Sequence, residues 1–358
     1  MQSYRVSITG IFFFWALSLN AQTPDYYSDI NFEENGLTLL SQLSLITAEN
    51  QTVFFPYTSW ETDVWDVLRM SDIDGETSNV LLIYGHDNDD NAYTNDRTRN
   101  FLSTCHSYGC IGLWNREHIF AKSLANPNLQ LSTPGPGTDL HNIRAIDAEM
   151  NSVRSNRLFG EGNGNAKITE EGNFYPGDEW KGDVARALMY MYIRYPSQCD
   201  LFSVSYGVSN FSKDLPDILL DWNAEDPVSE FELKRNDIIY SYQGNRNPFV
   251  DNYALAYHIW GGPKLLNLWD DSKKEFKNKL RDVRFNIDIT PYVTDGDIFV
   301  FSDEVISEVE YSLIDYNGNI VDQGTVEPVI DFDENLSGVY TLVFKQENRS
   351  KSFEIMIE

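Results

Sequence analysis

The 358-residue sequence predicts an α+β protein in two parts: a mixed domain over residues 22–268 and a small all-β sandwich over 286–358, joined by a connector at 269–285. Three observations carry that expectation. Residues 79–85 (NVLLIYG) form an apolar run of strand length that closes on a glycine. Residues 183–195 put Val184, Leu188, Met191 and Tyr192 at helical spacing, with Asp183 suited to the cap or first turn and Pro196 ending the helix. From residue 286 onward the runs 298–301, 309–314, 326–330, 340–344 and 353–357 are short and β-prone, split by turn signals such as Asn317-Gly318-Asn319 and Ser337-Gly338. The connector is set apart by eight charged residues between 273 and 284.

Composition bounds what such a chain can do. With 42% hydrophobic and 14% aromatic residues it can bury a core, which excludes global disorder. The net charge of −28, from 27 Lys+Arg against 55 Asp+Glu, argues at first sight against a phosphate-rich partner. The excess is unevenly placed, however. Residues 286–358 hold 3 basic and 16 acidic residues, whereas residues 111–160 hold five basic and four acidic ones. Global charge therefore does not exclude nucleic acid at a site built from that central stretch.

The first 21 residues are expected to be a secretory signal peptide: Arg5 supplies the positive start, 8–19 is mostly apolar, and Leu19-Asn20-Ala21 offers a cleavage site. A run of that length falls short of the roughly 20 residues needed to span a bilayer, so the expected product is secreted, extracellular or attached at the cell surface, without stable membrane insertion. Cys105, Cys110 and Cys199 are too few for a disulfide scaffold. Cys105 and Cys110 bracket a loop short enough to close on itself or to stay reduced, and either way Cys199 is odd. The acidic stretch 87–91 lacks the glycine and terminal glutamate of an EF-hand and reads as a solvated loop.

Chemistry-bearing residues gather in two segments. The first, 113–123, contains Trp114-Asn115-Arg116-Glu117-His118 and Lys122. Neighbouring side chains on a strand point to opposite faces, so Glu117 and His118 can share a site only where the strand ends or bends. The second begins as a loop after Pro134-Gly135-Pro136-Gly137 with Thr138-Asp139-Leu140-His141-Asn142-Ile143-Arg144, and continues as a helix in which Asn151 and Arg154 lie three apart on one face. A strand carrying Glu-His, a loop, and a helix carrying Asn is the arrangement of a ββα-metal (His-Me finger) site. Carboxylate and amide oxygens suit Mg²⁺, and a histidine that titrates near neutrality can take a proton from water. Arg186 and Arg194, two turns apart on the predicted helix, are open to two readings, phosphate contact or a solvated edge.

Five motifs in order, WNREH, TDLHN, AEMNSVRSN, KGDVARALMYMYIRY and Arg235-Asn236-Asp237 with QGNRNPFVD, resemble the bacterial endonuclease I family over about 31–260. The resemblance implies a secreted, metal-dependent, sequence-non-specific endonuclease acting on DNA and leaving 5′-phosphate ends, with RNA as a further substrate. It makes Glu117 and Asn151 the ligands of Mg²⁺, for which Mn²⁺ or Ca²⁺ can substitute, and His118 the general base. The sequence departs from the family at Ala121 and Ala145, where proline is common, and lacks the insertion that carries a catalytic arginine in some relatives. Arg144, Arg154 or Lys122 is left to fill that role. Arg116, Lys122, His141, Asn142 and Arg186 are the expected substrate contacts. The tail, through LIDYNGNIV at 313–321 and LSGVY at 336–340, resembles the C-terminal sorting domain of type IX secretion cargo, which implies the type IX machinery as a partner. Two alternatives stand beside this reading: an extracellular ribonuclease of the same family, and a catalytically inactive surface binding protein. The second predicts loss of Glu117, His118 or Asn151, and all three are present.

Overall fold

The computed structural model describes residues 24–75, 77–106, 110–265, 267 and 269, together with 287–290, 293–294, 297–302, 310–315, 319–326, 329–332, 336–346 and 349–357. The expected signal peptide and nearly all of the connector lie outside these residues. The chain divides into two compact units, Gln22–Trp269 and one that takes in Asp270–Glu358. No helix among the described residues is long and apolar enough to cross a membrane.

The first unit opens with helices α1 (Gly36–Asn50) and α2 (Val64–Ser71). The start of α2 is set by Asp63, whose carboxylate accepts from the amides of Trp65 and Asp66 while the Asp66 side chain returns to the Asp63 amide. Strands β1 (Asn79–Leu81) and β2 (Thr98–Asn100) form an antiparallel pair. The apolar run 79–85 is thus a strand for only its first three residues. Beyond them Leu82 and Ile83 still donate to the carbonyls of Arg97 and Ala145, and Tyr84 then turns the chain with φ +71°. Strand β3 (Trp114–His118) pairs antiparallel with β4 (Ile143–Asp147), and helix α3 (Ala148–Arg154) follows directly, capped by the Asp147 carboxylate on the amides of Glu149 and Met150.

Strand β4 was not apparent in the sequence, which reads as loop then helix. All five of its residues are buried, including Arg144 and Asp147, so neither face is polar and the usual alternation is missing. These charges are tolerated because each has a partner. Asp147 pairs with Arg99, and Arg144 lies 3.5 Å from Asp72 and 3.6 Å from Asp183.

A short pair, β5 (Lys167–Ile168) and β6 (Phe174–Tyr175), leads into α4 (Lys181–Arg194), the centre of the core. This helix ends before Pro196 as the sequence predicts, but it is buried nearly all round rather than along one stripe. Helices α5 (Asp217–Glu225), α6 (Glu230–Gln243), α7 (Pro248–Asp251) and α8 (Leu255–Trp260) complete the unit. Near the start of α4 a side chain at Gly182 would meet the Asp226 carbonyl oxygen at 2.2 Å, so only glycine admits this approach. Cys105 and Cys110 form a disulfide, and Cys199 is a buried thiol that burial pushes up to about 12.

The second unit is all β. Strands β7 (Ile287–Thr290), β9 (Asp297–Ser302) and β12 (Val329–Asp331) make a three-stranded sheet in the order β12-β9-β7. Strands β8 (Val293–Thr294), β10 (Glu310–Ile314), β11 (Ile320–Thr325), β13 (Gly338–Gln346) and β14 (Arg349–Ile357) make a five-stranded one in the order β11-β10-β13-β14-β8. Leu313, Ile330, Phe332, Leu342, Phe344 and Ile355 belong to one buried cluster drawn from both.

Arg186 was expected to reach substrate. It is fully buried instead: Nε and Nη2 each donate at 2.7 Å to the two carboxylate oxygens of Glu232, and Nη1 donates to the Asp226 carbonyl. Its charge ties α4 to α6 because a guanidinium without a partner cannot be accommodated in that core. Arg186→Ala is expected to cost about 3–5 kcal/mol of stability by stranding Glu232. Denaturant unfolding measures that loss.

Candidate active site

Strand β3 ends at His118, which resolves how adjacent residues serve one site. Glu117 lies within the strand and His118 at its last position, and both line an open cleft of about 780 Å³ with Arg116, Lys122, Asn151 and Arg154. Tyr57, Asn128 and Gln130 form further parts of its wall.

Each group is held from behind. The His118 Nε2 lies 2.8 Å from the Gly137 carbonyl oxygen. A carbonyl can only accept, so Nε2 carries the proton and Nδ1 keeps its lone pair. Gly137 is irreplaceable here for a steric reason, since a Cβ would sit 2.1 Å from the Gln130 carbonyl oxygen. Burial, more than any neighbour, pushes the His118 pKa down to about 3, well below the near-neutral value expected from residue type, so the imidazole is neutral at physiological pH but a weaker base than a free one. The Asn151 Nδ2 donates to the Arg116 carbonyl at 3.2 Å, which leaves its amide oxygen to the cleft.

Glu117 is 2% exposed. Both of its contacts fall on Oε1, from the Tyr84 hydroxyl at 3.2 Å and Arg154 Nε at 3.3 Å. Burial raises its carboxyl to about 7 against the pull of Arg154 and the tyrosine hydroxyl. Tyr84 is a residue that sequence reasoning missed. Its left-handed backbone, uncommon for a bulky side chain, aims the hydroxyl at Glu117, and no sequence signal marks that conformation. Arg154 also donates to the carbonyls of His118, at 3.4 Å, and Ile119, at 2.8 Å.

Arg116 lines the cleft, but its guanidinium is already engaged there. Its guanidinium lies 3.4 Å from the Tyr57 ring centroid and 4.1 Å from that of Trp65, and it donates to the Tyr57 carbonyl and the Thr58 hydroxyl. Half-buried Lys122 is less constrained.

Three other expected site residues lie elsewhere, in addition to Arg186. Arg144 is buried between Asp72 and Asp183 and lines a small interior cavity rather than the cleft. His141 borders that same cavity; its ring lies 4.5 Å from that of Tyr190, and its Nε2 is 3.2 Å from the Asn245 carbonyl. Asn142 is fully buried and clasps Phe120, its Oδ1 accepting from the Phe120 amide at 2.7 Å and its Nδ2 donating to the Phe120 carbonyl. These residues share a sequence segment with the site, but β4 turns them toward the core.

Residues 36–254 match the model of a family described as Endonuclease I. The chain is 35% identical to an extracellular ribonuclease of Bacillus subtilis over 253 residues, covering 67% of this chain and 80% of the relative. It is 34% identical to an extracellular ribonuclease of Bacillus amyloliquefaciens over the same shares. A shorter match, 29% over 124 residues, covers 32% of this chain and 46% of an endonuclease-1 from Buchnera aphidicola. The chain belongs to the Endonuclease I family.

It is therefore a hydrolase, a nuclease. Endonuclease I enzymes generally depend on a divalent cation. Among the described residues no three His, Cys, Asp or Glu side chains cluster as a metal cage. A hard divalent cation such as Mg²⁺ takes oxygen donors and keeps several of its waters. Glu117 and Asn151 fit this donor set, a poorly compensated buried carboxyl and an amide oxygen facing the same open cleft.

The buried His141 gives this Endonuclease I chain a pH-dependent stability. Burial pushes its pKa down to about 4, whereas the unfolded chain protonates near 6.5. Between these values the unfolded state binds more protons, so the imidazole's contribution is full above pH 6.5 and is lost as pH falls toward 4. His141→Gln, which can still donate to the Asn245 carbonyl, is expected to flatten the decline of Tm over that interval. Thermal melts of both proteins across the pH range check this.

Proposed function

We propose that this Endonuclease I protein is a secreted, sequence-non-specific endonuclease that hydrolyses phosphodiester bonds with His118 as general base and Mg²⁺ held by Glu117 and Asn151. The observation that carries the reading is the His118 ring, pinned through Nε2–H to the Gly137 carbonyl so that Nδ1 is a free acceptor in the cleft that Glu117 and Asn151 share. Nδ1 takes a proton from a water, the water oxygen bonds to phosphorus, and the bond to the 3′-oxygen breaks, leaving a 5′-phosphate and, after protonation by solvent, a 3′-hydroxyl. A bound Mg²⁺ supplies charge compensation for the phosphate and the departing oxygen.

Of the cations considered for the phosphate, Lys122 fits best. Arg144 is committed to buried acids, and the Arg154 guanidinium is committed to Glu117 and two backbone carbonyls. Arg154 accordingly orients Glu117 and the end of β3, while half-buried Lys122 can extend to substrate. Both DNA and RNA are expected substrates: backbone phosphates are common to both, and the Bacillus relatives are named ribonucleases. The β unit, with its net charge of −13 over 286–358, carries none of these groups and serves in this reading as the address for type IX export.

Incubation with plasmid, single-stranded DNA and RNA tests the assignment. His118→Ala is expected to lower cleavage by about 10²- to 10⁴-fold while retaining Mg²⁺ binding by calorimetry. Full activity in that variant would remove His118 from the mechanism. EDTA is expected to stop cleavage and added Mg²⁺ to restore it; undiminished cutting in chelator would rule out the metal-dependent reading.

A further inference from the structure

One tryptophan of the first unit has no packing role. Trp60 is 105% exposed, whereas Trp65, Trp114, Trp180, Trp222 and Trp260 are each no more than 4% exposed. It stands three residues beyond Tyr57, which lines the cleft and whose ring lies 5.6 Å from that of His118. Three residues span at most about 11 Å of chain, so the Trp60 backbone lies no farther than that from the backbone of this cleft-wall residue.

The loop that carries it is tied down on both sides, to Arg116 of the cleft wall and to the cap of α2. Arg116 donates to the Tyr57 carbonyl and the Thr58 hydroxyl, and at the other side Asp63, the cap of α2, accepts from the Ser59 amide at 2.9 Å. The Glu61 amide in turn donates to the Ser59 hydroxyl at 2.9 Å. The indole is thus presented on an ordered turn. Residues 51–62 contain no Lys, Arg or His, and their only charge is Glu61, so this loop has no cation with which to hold a phosphate. What it offers nucleic acid is a π-face.

We infer that Trp60 is a stacking platform for an unpaired base of the strand lying in the cleft, which gives the enzyme a preference for single-stranded DNA or RNA. The bases of a duplex are already stacked and paired, so an exposed indole gains little from them. A base in a single strand has a free face that any aromatic side chain can cover without regard to sequence. The site thereby favours unpaired segments while remaining sequence-tolerant. This inference rests on the nuclease reading of the cleft.

The test uses His118→Ala protein in Mg²⁺, so that strands are bound without being cut. Binding is measured to a labelled single-stranded oligonucleotide and to a strand of the same length made of abasic sugar-phosphate. The base-bearing strand is expected to bind about tenfold or more tightly than the abasic one. Adding Trp60→Ala should erase most of that difference and leave the abasic affinity unchanged, while Trp60→Phe should retain most of it. An undiminished base preference in Trp60→Ala, or an equal loss for both strands, would overturn the stacking role while leaving the cleft a nucleic-acid site. Failure of the Trp60-intact protein to bind either strand would overturn the nuclease reading and this inference with it. The indole touches no core, so an unchanged Tm is expected in every Trp60 variant.

Discussion

A single buried carboxylate, that of Asp72 at the end of α2, fixes the strand against which the candidate site is built. It is fully shielded from water, and each of its oxygens is used. Oδ2 accepts from the Ala145 amide at 2.7 Å, and Oδ1 accepts from Arg235 Nε at 2.7 Å and from the Ser71 hydroxyl. The backbone carbonyl of Asp72 accepts from Leu81. Arg235 carries the tie onward to the carbonyls of Leu140 and Ile143, at the entrance to β4. One charge pair thus joins α2, β1, β4 and α6. In a low-dielectric interior such a network holds one geometry when satisfied and is costly when broken. Because β3 pairs with β4 residue by residue, the positions of Glu117 and His118 follow from it.

The same logic governs the backbone just past the site. Where β3 ends, the carbonyls of 118, 119 and 120 leave the ladder in a buried place and need donors. Arg154 supplies the first two and Asn142 the third, while the Ile119 amide returns to the Asn142 carbonyl. Two of the polar residues expected at the site from the sequence, Arg154 and Asn142, are thus the donors that let this strand stop where it does. The side chains of Glu117, His118, Asn151 and Lys122, which line the cleft, are not among those donors.

Much of this was legible because the chemistry proposed for the cleft restricts residue type. The Glu-His pair, the asparagine one segment later and the helix ending at Pro196 are read directly from local pattern. The errors share a cause. Arg144, His141, Asn142 and Arg186 are polar residues near the motifs, and proximity in sequence stood in for proximity in space. A buried ion pair is invisible from one side, since nothing local links Arg186 to Glu232 or Asp72 to Arg235 across 163 positions. For the same reason β4, whose buried charges break the alternation, read as loop. Tyr84 depends on a backbone angle that the surrounding fold imposes, and no sequence pattern encodes it.

The long reach of the Asp72–Arg235 pair bears on when the enzyme comes into being. Synthesis runs from the N-terminus, so the segments carrying Glu117, His118 and Asn151 emerge well before residue 235 does. Until α6 is made, Asp72 lacks its main counter-charge and the β4 entrance lacks the donors that secure it. The groups proposed to act on the phosphodiester are therefore present in a nascent chain without the scaffold that positions them. The cleft side of β3 and β4 therefore takes its final form only when α6 has folded back onto α2 and the β4 entrance.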